Sequence, residues 1–498
     1  MDRTMTEHSS NPTVGALPDV TANSSSVPVV LTWLAWSVFA ASVAALVVRV
    51  RVGGPWEIPG VVAVDGLTVL LWVVVAFFSG IVHSYSRRYM AGSEHESRFF
   101  ATVSGFTVTV MGLVAADHVV LFAGLWLAMG LVMAELVGTV DGWDQARAAA
   151  SVARKYFLAS SALLGVALAA LWWATGATSV SGITAAADTL GGPVWLLAVA
   201  ALVLAATIQS ALVPFHGWLL SSMTAPTPAS ALMHAGFVNA GGILLVRFAP
   251  VVTVDTTVML GIVVVGASSA LLGKLLKTVQ PDVKSELGCS TVGQMGFMIM
   301  QAGLGFFGAA ITHLVLHGFY KAYHFLSAGG RVERTAPDGG DAHGTTLAEA
   351  AVVLVTGLAG GALFAALTGK GTSVDSGLLL VVFVVLTTLH AARDVVARSS
   401  LPTAARYGAV PLVFVPAITV YALVYEAVSS VLSGLPVVAA PTELTALHVV
   451  VAAVFLAVYA AMAAGVHERS QRLYVALVNA SQPASSTLLT ATEDYNEY

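Results

Sequence analysis

Residues 214–250, PFHGWLLSSMTAPTPASALMHAGFVNAGGILLVRFAP, set two histidines, Asn239, Pro226, Pro228 and the pair Gly241 and Gly242 inside a chain otherwise apolar enough for lipid. Unsatisfied backbone groups cost several kcal/mol in hydrocarbon, so helix breakers are tolerated at membrane depth only where the freed groups face protein or water. The stretch therefore predicts broken helices, the devices around which transporters build an ion path. His216 follows Pro214 at one break. His234 and Asn239 fall in the next span, with Ser230 placed to cap its start. Two readings stay open here: these residues line a water-filled cavity, or His216 simply satisfies carbonyls freed at the break.

Composition extends the membrane reading to the whole chain. Hydrophobic residues make up 57% of the 498 and charged residues only 10%, with a mean hydropathy of +0.84, far from the balance of a soluble domain. Apolar runs near 27–48, 62–83, 99–116, 119–138, 156–174, 193–212, 229–249, 256–275, 287–305, 307–328, 347–367, 377–396, 409–431 and 444–465 approach the roughly 20 residues that cross a bilayer core as a helix. They predict an all-α polytopic membrane protein with about 14 transmembrane helices. Around this domain, 27–466, the expected organisation has a polar N-terminal extension over 1–26 and a polar, solvated tail over 467–498. No basic segment precedes the first apolar run, so a cleaved signal peptide is not expected. The longest polar loop, 331–346, is too small to fold alone, and no soluble catalytic domain is expected.

The net charge of −5 is spread along the chain without a basic run, which argues against a nucleic-acid partner. Cys289 is the only cysteine, so an internal disulfide and any multi-cysteine metal or iron–sulfur site are excluded from this chain. Redox groups or a thiolate-bound zinc would sit on a partner. Arg87, Arg88, Arg147, Arg154, Lys155, Arg331, Arg334, Arg393, Arg398, Arg406, Arg469 and Arg472 fall mostly on one side of the expected topology. Under the positive-inside rule both termini are cytoplasmic in a multi-pass cell-membrane protein, although Arg49 and Arg51 argue the other way.

An ionisable group at the bilayer centre costs roughly 2.5–3.5 kcal/mol or more unless paired or wetted, so each is a functional candidate. His313, His317 and Lys321 follow at i, i+4 and i+8 and share one helix face, with His324 three residues on. Imidazoles that titrate near neutrality suit a proton relay; a static hydrogen-bonded network is the alternative. Zinc ligation by the histidine pair lacks an accompanying carboxylate or cysteine, and no resident metal or cofactor is expected. Glu135 is the acidic residue inside the fourth span, where it needs protonation, a basic partner, or water at the helix end. Asp65 and Asp117 read as interfacial caps. Lys274, Lys277 and Lys284, with Asp282 and Glu286, read as a cytoplasmic loop group in which Lys284 is the functional candidate.

Several motifs now occur together and in order: VDGLT (64–68), YSRRYMAG (85–92), ADHVVLFAGLW (116–126), APTPASALMHAG (225–236), DVKSELGCSTVGQMGFM (282–298) and HLVLHGFYKAYHFLSAG (313–329). From 64 to 330 the chain resembles the antiporter-like subunits shared by respiratory complex I, membrane-bound hydrogenases and multisubunit cation/proton antiporters, with subunit 5 of NADH dehydrogenase among them. PFHGWL (214–219), ARKYFLAS (153–160) and MHAGFVNAGGILLVRFAP (233–250) are most similar to the DabB-type membrane subunits of two-part inorganic-carbon accumulation pumps. The resemblance implies an antiporter-like bundle with inverted repeats. It also implies a transport role driven by H+ or Na+ rather than an enzyme, and a DabA-type zinc partner similar to β-carbonic anhydrases that makes CO2 hydration one-way. His234, Lys284, His313, His317 and Lys321 match family motif positions and inherit an expected place in a central polar axis; His216 matches the DabB-type pattern.

Two departures stand out. Family members carry Trp-Glu on the first conduction helix, where this chain has Trp126 and Leu127; Glu135 lies two turns on, rotated by about 80°. Gln209 stands where relatives have a lysine before the Leu-Pro break. The relay is rewired, or the ion is not a proton. The alternatives to a carbon pump are a subunit of a Na+/H+ antiporter, the proton-pumping subunit of a complex I-like or hydrogenase oxidoreductase, and a structural role without conduction.

Overall fold

The computed structural model describes residues 26–54, 56–330, 347–398 and 403–487. The expected extension over 1–25, the loop 331–346 and the segment 488–498 lie outside the described residues. In chain order the elements are α1 (Val27–Val52), β1 (Trp56–Ile58), β2 (Val62–Val64), α2 (Gly66–Tyr89), α3 (Glu96–Ala115), α4 (Val119–Val137) and α5 (Asp144–Thr175). Then come α6 (Val180–Ala185), α7 (Gly192–Gln209), α8 (Gly217–Ser221), α9 (Thr227–Ala235), α10 (Ala240–Arg247), α11 (Ala249–Val252), α12 (Thr256–Lys277), α13 (Val283–Gly303) and α14 (Phe307–Leu326). The chain closes with α15 (Leu347–Thr368), α16 (Gly377–Arg398), α17 (Thr403–Val431), α18 (Ala446–Ala463), α19 (Val466–Arg469) and α20 (Gln471–Ala480).

The expected spans fall on these helices one to one, except 229–249, which is divided between α9, α10 and the start of α11. Among the described residues, 11 are long and apolar enough to cross a membrane. The exceptions are α13, α14 and α16. The first two carry the polar residues of the candidate site, and only Gly377–Ala392 of α16 counts as a shorter apolar helix. The broken span 227–247 is the most enclosed, with 89% of its apolar window buried, against 11% for α18 at the rim. An interior helix ringed by other helices is where polar groups can be kept from lipid.

The break expected at Pro214 is present; a second interrupts the span expected over 229–249, between His234 and Asn239, while Gly241 and Gly242 lie inside α10. α7 stops at Gln209, Ala211 takes a left-handed φ of 54°, and the chain resumes as helix only at Gly217. α9 stops at Ala235, and one 3-10 turn, Phe237–Asn239, separates it from α10. Pro226 is the N-cap of α9; Ser230 is not, and its hydroxyl instead donates to Ala225 O at 3.4 Å. Asn239 Nδ2 donates to the Ala235 carbonyl that the second break frees, at 2.8 Å.

Backbone contacts define two ends of the bundle. At one, Val62 bridges Ala116, His118 bridges Ser179, Gly66 touches the Val431 carbonyl and Ala440 N donates to Gly305 O. At the other, Lys284 meets the 223–225 backbone, Lys277 pairs with Glu286 and α20 meets α8. The tail does not begin as a solvated extension: Ser470 caps α20, Leu477 buries against Leu220, Leu276 and Cys289, and Ala484 N donates to Ser221 Oγ at 3.0 Å. Leu473 and Leu477, one turn apart, give that short helix an apolar face that the polar average of the tail conceals.

Helices α12 and α13 touch backbone to backbone along a glycine seam. A Cβ on Gly273 would lie 2.2 Å from Gly293 N, and one on Gly266 would lie 2.5 Å from Met300 N. In lipid, such small-residue contacts replace the hydrophobic effect as the source of helix association. Gly273→Ala is expected to lower thermal stability in detergent by about 1–3 kcal/mol, the usual cost of overpacking. Gly261→Ala on the same helix, where nothing lies within 4 Å, should leave stability unchanged or raise it. Equal stability of the two variants would mean the seam has slack.

Candidate ion pathway

Three enclosed helices, α9, α13 and α14, bring five of the predicted residues together. Lys284 stands in the first turn of α13, whose N-cap Asp282 accepts from Ser285 N at 2.9 Å. Its Nζ donates to Ala225 O at 3.0 Å and reaches Met223 O at 3.4 Å, the carbonyls just before the APTP entry to α9. Leu287 and Thr291 follow on the same face of α13, at i+3 and i+7. Thr291 Oγ1 donates to Leu287 O at 2.9 Å and lies 2.9 Å from His234 Nδ1 on α9. Since the threonine proton is committed to the carbonyl, the imidazole supplies the proton of the second bond, which leaves His234 Nε2 as a bare acceptor.

Lys321 on α14 is fully buried, and its Nζ donates to the same Leu287 carbonyl at 2.7 Å. Among the described residues no carboxylate stands within ion-pair distance of it. His317 and His313 continue the face, their rings 5.7 Å apart and nearly parallel at 17°. The His234 ring stacks on Phe325 of α14 at 4.4 Å, which holds α9 against the stripe. Nε2 of His234, His313 and His317 is buried without a hydrogen-bond partner among the described residues. Three buried imidazole nitrogens without a partner among the described residues, flanked by two lysine side chains, suit the passing of a proton or the binding of water along the face. No cluster of three or more metal-ligating side chains occurs among the described residues.

Other predicted residues stand elsewhere. Glu135 is not brought to this line: it is half-exposed near the end of α4 and paired with Arg98 of α3, whose Nη1 also reaches Asp141 at 3.2 Å. His216 Nε2 donates to Ala480 O of α20 at 2.9 Å, which makes it an anchor for the C-terminal helix. Gln209 is buried in the last turn of α7, and neither its Oε1 nor its Nε2 has a hydrogen-bond partner among the described residues. His324 packs its ring on Tyr320 at 4.1 Å, off the stripe.

Lys274 and Lys277 lie on α12 rather than in a loop, and Lys274 Nζ is 2.7 Å from His390 Nε2 of α16. Lys370 stands over the rings of Phe306 and Tyr425 at 5.0 and 5.2 Å. Asp117 accepts from Ser181 N at 2.8 Å and from its hydroxyl at 2.7 Å. Asp65 caps α2 through Thr68 N at 2.9 Å and also pairs with Arg247 at the end of α10. Burial pushes the Asp65 carboxyl up, and the Arg247 charge with the bonds from Arg247 and Thr68 outweighs it, holding the pKa below the ordinary carboxylate value. Thr291 was not singled out from sequence, although its i+7 spacing from Lys284 was the available signal.

Two family models cover the region that holds all of these groups except α15 to α20. The NADH-ubiquinone oxidoreductase (complex I) chain 5 N-terminus matches residues 52–100, and the NADH:quinone oxidoreductase/Mrp antiporter transmembrane family matches 116–346. Over these residues the chain is similar to the complex I/Mrp antiporter-like membrane domain. Its relatives include the probable inorganic carbon transporter subunit DabB1 of Halothiobacillus neapolitanus, 38% identical over 57% of this chain and 52% of that one. The corresponding DabB of Bacillus subtilis is 37% identical over 56% and 55%. NADH-quinone oxidoreductase subunit L of Mycobacterium tuberculosis is 35% identical over 53% and 42%. The matched part thus spans about half the length of the curated relatives.

Solved structures share the fold of this antiporter-like domain. The Mrp complex from Dietzia sp. DQ12-45-1b matches with a TM-score of 0.55 at 21% identity, over 92% of this chain and 51% of that one. The membrane-bound sulfane sulfur reductase, an archaeal respiratory membrane complex, matches with a TM-score of 0.55 at 15% identity, over 93% and 96%.

Proposed function

We propose that this chain is the membrane subunit of an energy-coupled inorganic-carbon transporter in the cell membrane, with both termini cytoplasmic. A cation, H+ or Na+, moves past Lys284, His234, Lys321, His317 and His313. Its passage drives one-way CO2 hydration on a DabA-type zinc partner. The observation that carries the reading is the hydrogen-bonded set His234, Thr291, Leu287 O and Lys321, with Lys284 on the 223–225 carbonyls that lead into α9, in a chain whose relatives include subunits named as inorganic carbon transporters. The energetics suffice: a membrane potential supplies about 2.3 kcal/mol per charge per 100 mV, and a tenfold gradient costs about 1.4 kcal/mol. One cation entering at about 150 mV sustains about two decades of bicarbonate accumulation.

Relatives named as NADH-quinone oxidoreductase subunits support a second reading, the proton-pumping subunit of a redox complex or antiporter. The test is growth. The chain is expressed with a DabA-type zinc subunit in a host lacking carbonic anhydrase, and growth in ambient air is scored with and without His317→Ala. Rescue that requires both proteins and His317 is expected. No rescue despite confirmed expression of both would favour the redox or antiporter reading.

A further inference from the structure

Away from the histidine face, α2 and α14 form a groove of about 350 Å³ that is open along one side. Phe77 and Ile81 of α2 line one wall, and Phe319, Tyr323 and Leu326 of α14 the other. Phe319 is 48% exposed and Tyr323 67%, and both lie about 160° round α14 from Lys321. The groove therefore opens on the outer, lipid-facing surface of the bundle, and the buried stripe occupies the opposite face of the same helix.

One end of the groove is closed where the rings of Phe77 and Phe319 meet at 5.2 Å. From Phe77 the face of α2 continues through Ile81 to Arg88, which is rotated from Phe77 by only about 20°. The helix rises about 16 Å between them, roughly half of the ~30 Å hydrocarbon core and so the depth of one leaflet. Arg88 is exposed in the last turn of α2, with no carboxylate within ion-pair distance among the described residues. Tyr85 and Tyr89, their rings stacked at 5.8 Å, share that turn of chain. Tyrosine and arginine together at a helix end mark the headgroup level of a bilayer.

A surface groove at this depth meets either a partner helix or a lipid. Helices that associate in lipid rely on small residues for close backbone approach, whereas this groove is walled mainly by aromatic and branched side chains, with Ala322 and Ser327 as its small ones. A flexible hydrocarbon chain needs no backbone approach and gains dispersion from every ring it lies against. At the polar end, a guanidinium presents a planar fork that matches two phosphate oxygens.

We propose that this groove holds one anionic phospholipid, with an acyl chain between α2 and α14 that ends at Phe77 and Phe319, and its phosphate on Arg88. Arg87, also exposed and about 100° round the helix, adds a general attraction for negative charge, which a zwitterionic headgroup offsets with its own ammonium. The site does not rest on the transport reading.

The test uses the full purified chain, delipidated in detergent and supplied with phosphatidylglycerol or phosphatidylcholine of matched chains, with bound lipid counted by native mass spectrometry. One retained phosphatidylglycerol is expected, at a concentration about 5-fold or more below that needed for phosphatidylcholine, the effect of one surface arginine on an anionic lipid. Arg88→Gln, at an exposed position, should remove that preference, and Arg87→Gln should keep most of it. Ile81→Trp, which fills the groove midway, should weaken retention of both lipids. Glycerol phosphate, a headgroup without the chains, should not displace the bound lipid. Equal retention of the two lipids, a preference that survives Arg88→Gln, equal loss in both arginine variants, unchanged retention in Ile81→Trp, or displacement by glycerol phosphate overturns the site.

Discussion

Lys321→Met is expected to leave the protein folded, with thermal stability equal to or above that of the parent, while reducing cation-driven transport about 100-fold, the lower end of what a positioned proton-transfer group contributes. The two readouts separate function from scaffolding. Lys321 is fully buried, and its hydrogen bond among the described residues is to the Leu287 carbonyl at 2.7 Å. Replacing a buried charge by an apolar side chain of similar volume is often neutral or stabilising, because the desolvation of the charge is no longer opposed to folding. A residue kept only to tie α14 to α13 would show the reverse pattern, with lower stability and little change in flux. The measurement is thermal unfolding in detergent beside ion flux in proteoliposomes. Parental flux in the Met variant would remove Lys321 from the pathway.

The second large effect concerns folding. Arg247→Leu is expected to destabilise the protein by about 3–5 kcal/mol, the range for stranding one partner of a buried pair. Only 11% of the Arg247 side chain and 21% of the Asp65 side chain are exposed, and Arg247 also satisfies Thr68 Oγ1 and Val114 O. A double replacement, Asp65→Leu with Arg247→Leu, should recover most of the loss, since neither charge is then buried alone. The pH dependence has a defined sign. The Asp65 carboxyl is held below its ordinary value, so its contribution is complete above the unfolded-state pKa. It is lost as pH falls through the lower folded-state pKa. Unfolding curves from pH 7 to pH 2 should therefore show an acid-side slope in the parent that the double variant lacks. Equal slopes would mean that this pair does not contribute to acid unfolding.

What was legible in the sequence was local. Pro214 announced the first helix break, though not the second at 236–239, and spacing alone put His313, His317 and Lys321 on one face. Lys284, read as part of a loop group, stands instead in the first turn of α13. Contacts between distant helices were not legible, because periodicity tells which face a residue occupies and not what faces it. Arg98 pairs with Glu135 across 37 residues, which turns an expected pathway carboxylate into half of an ion pair near the end of α4. His216 finds Ala480 264 residues away, in a tail whose polar composition pointed to solvent. Lys274 reads as a loop cation until α16 supplies His390, 116 residues on. In each case the residue type was recognised and the neighbour that sets its job was not.

The glycine seam between α12 and α13 constrains how any transport cycle proceeds. With Gly273 against Gly293, and Gly266 against Gly296 and Met300, at backbone contact, neither helix can slide or roll past the other without a main-chain collision. Lys284 and Thr291 therefore ride on a braced helix, while the helical ladder itself is interrupted at 210–216 and 236–239. Under the proposed transport reading, the seam favours a valve seat with moving inserts over a pair of rocking jaws, because α12 and α13 are locked together as one body.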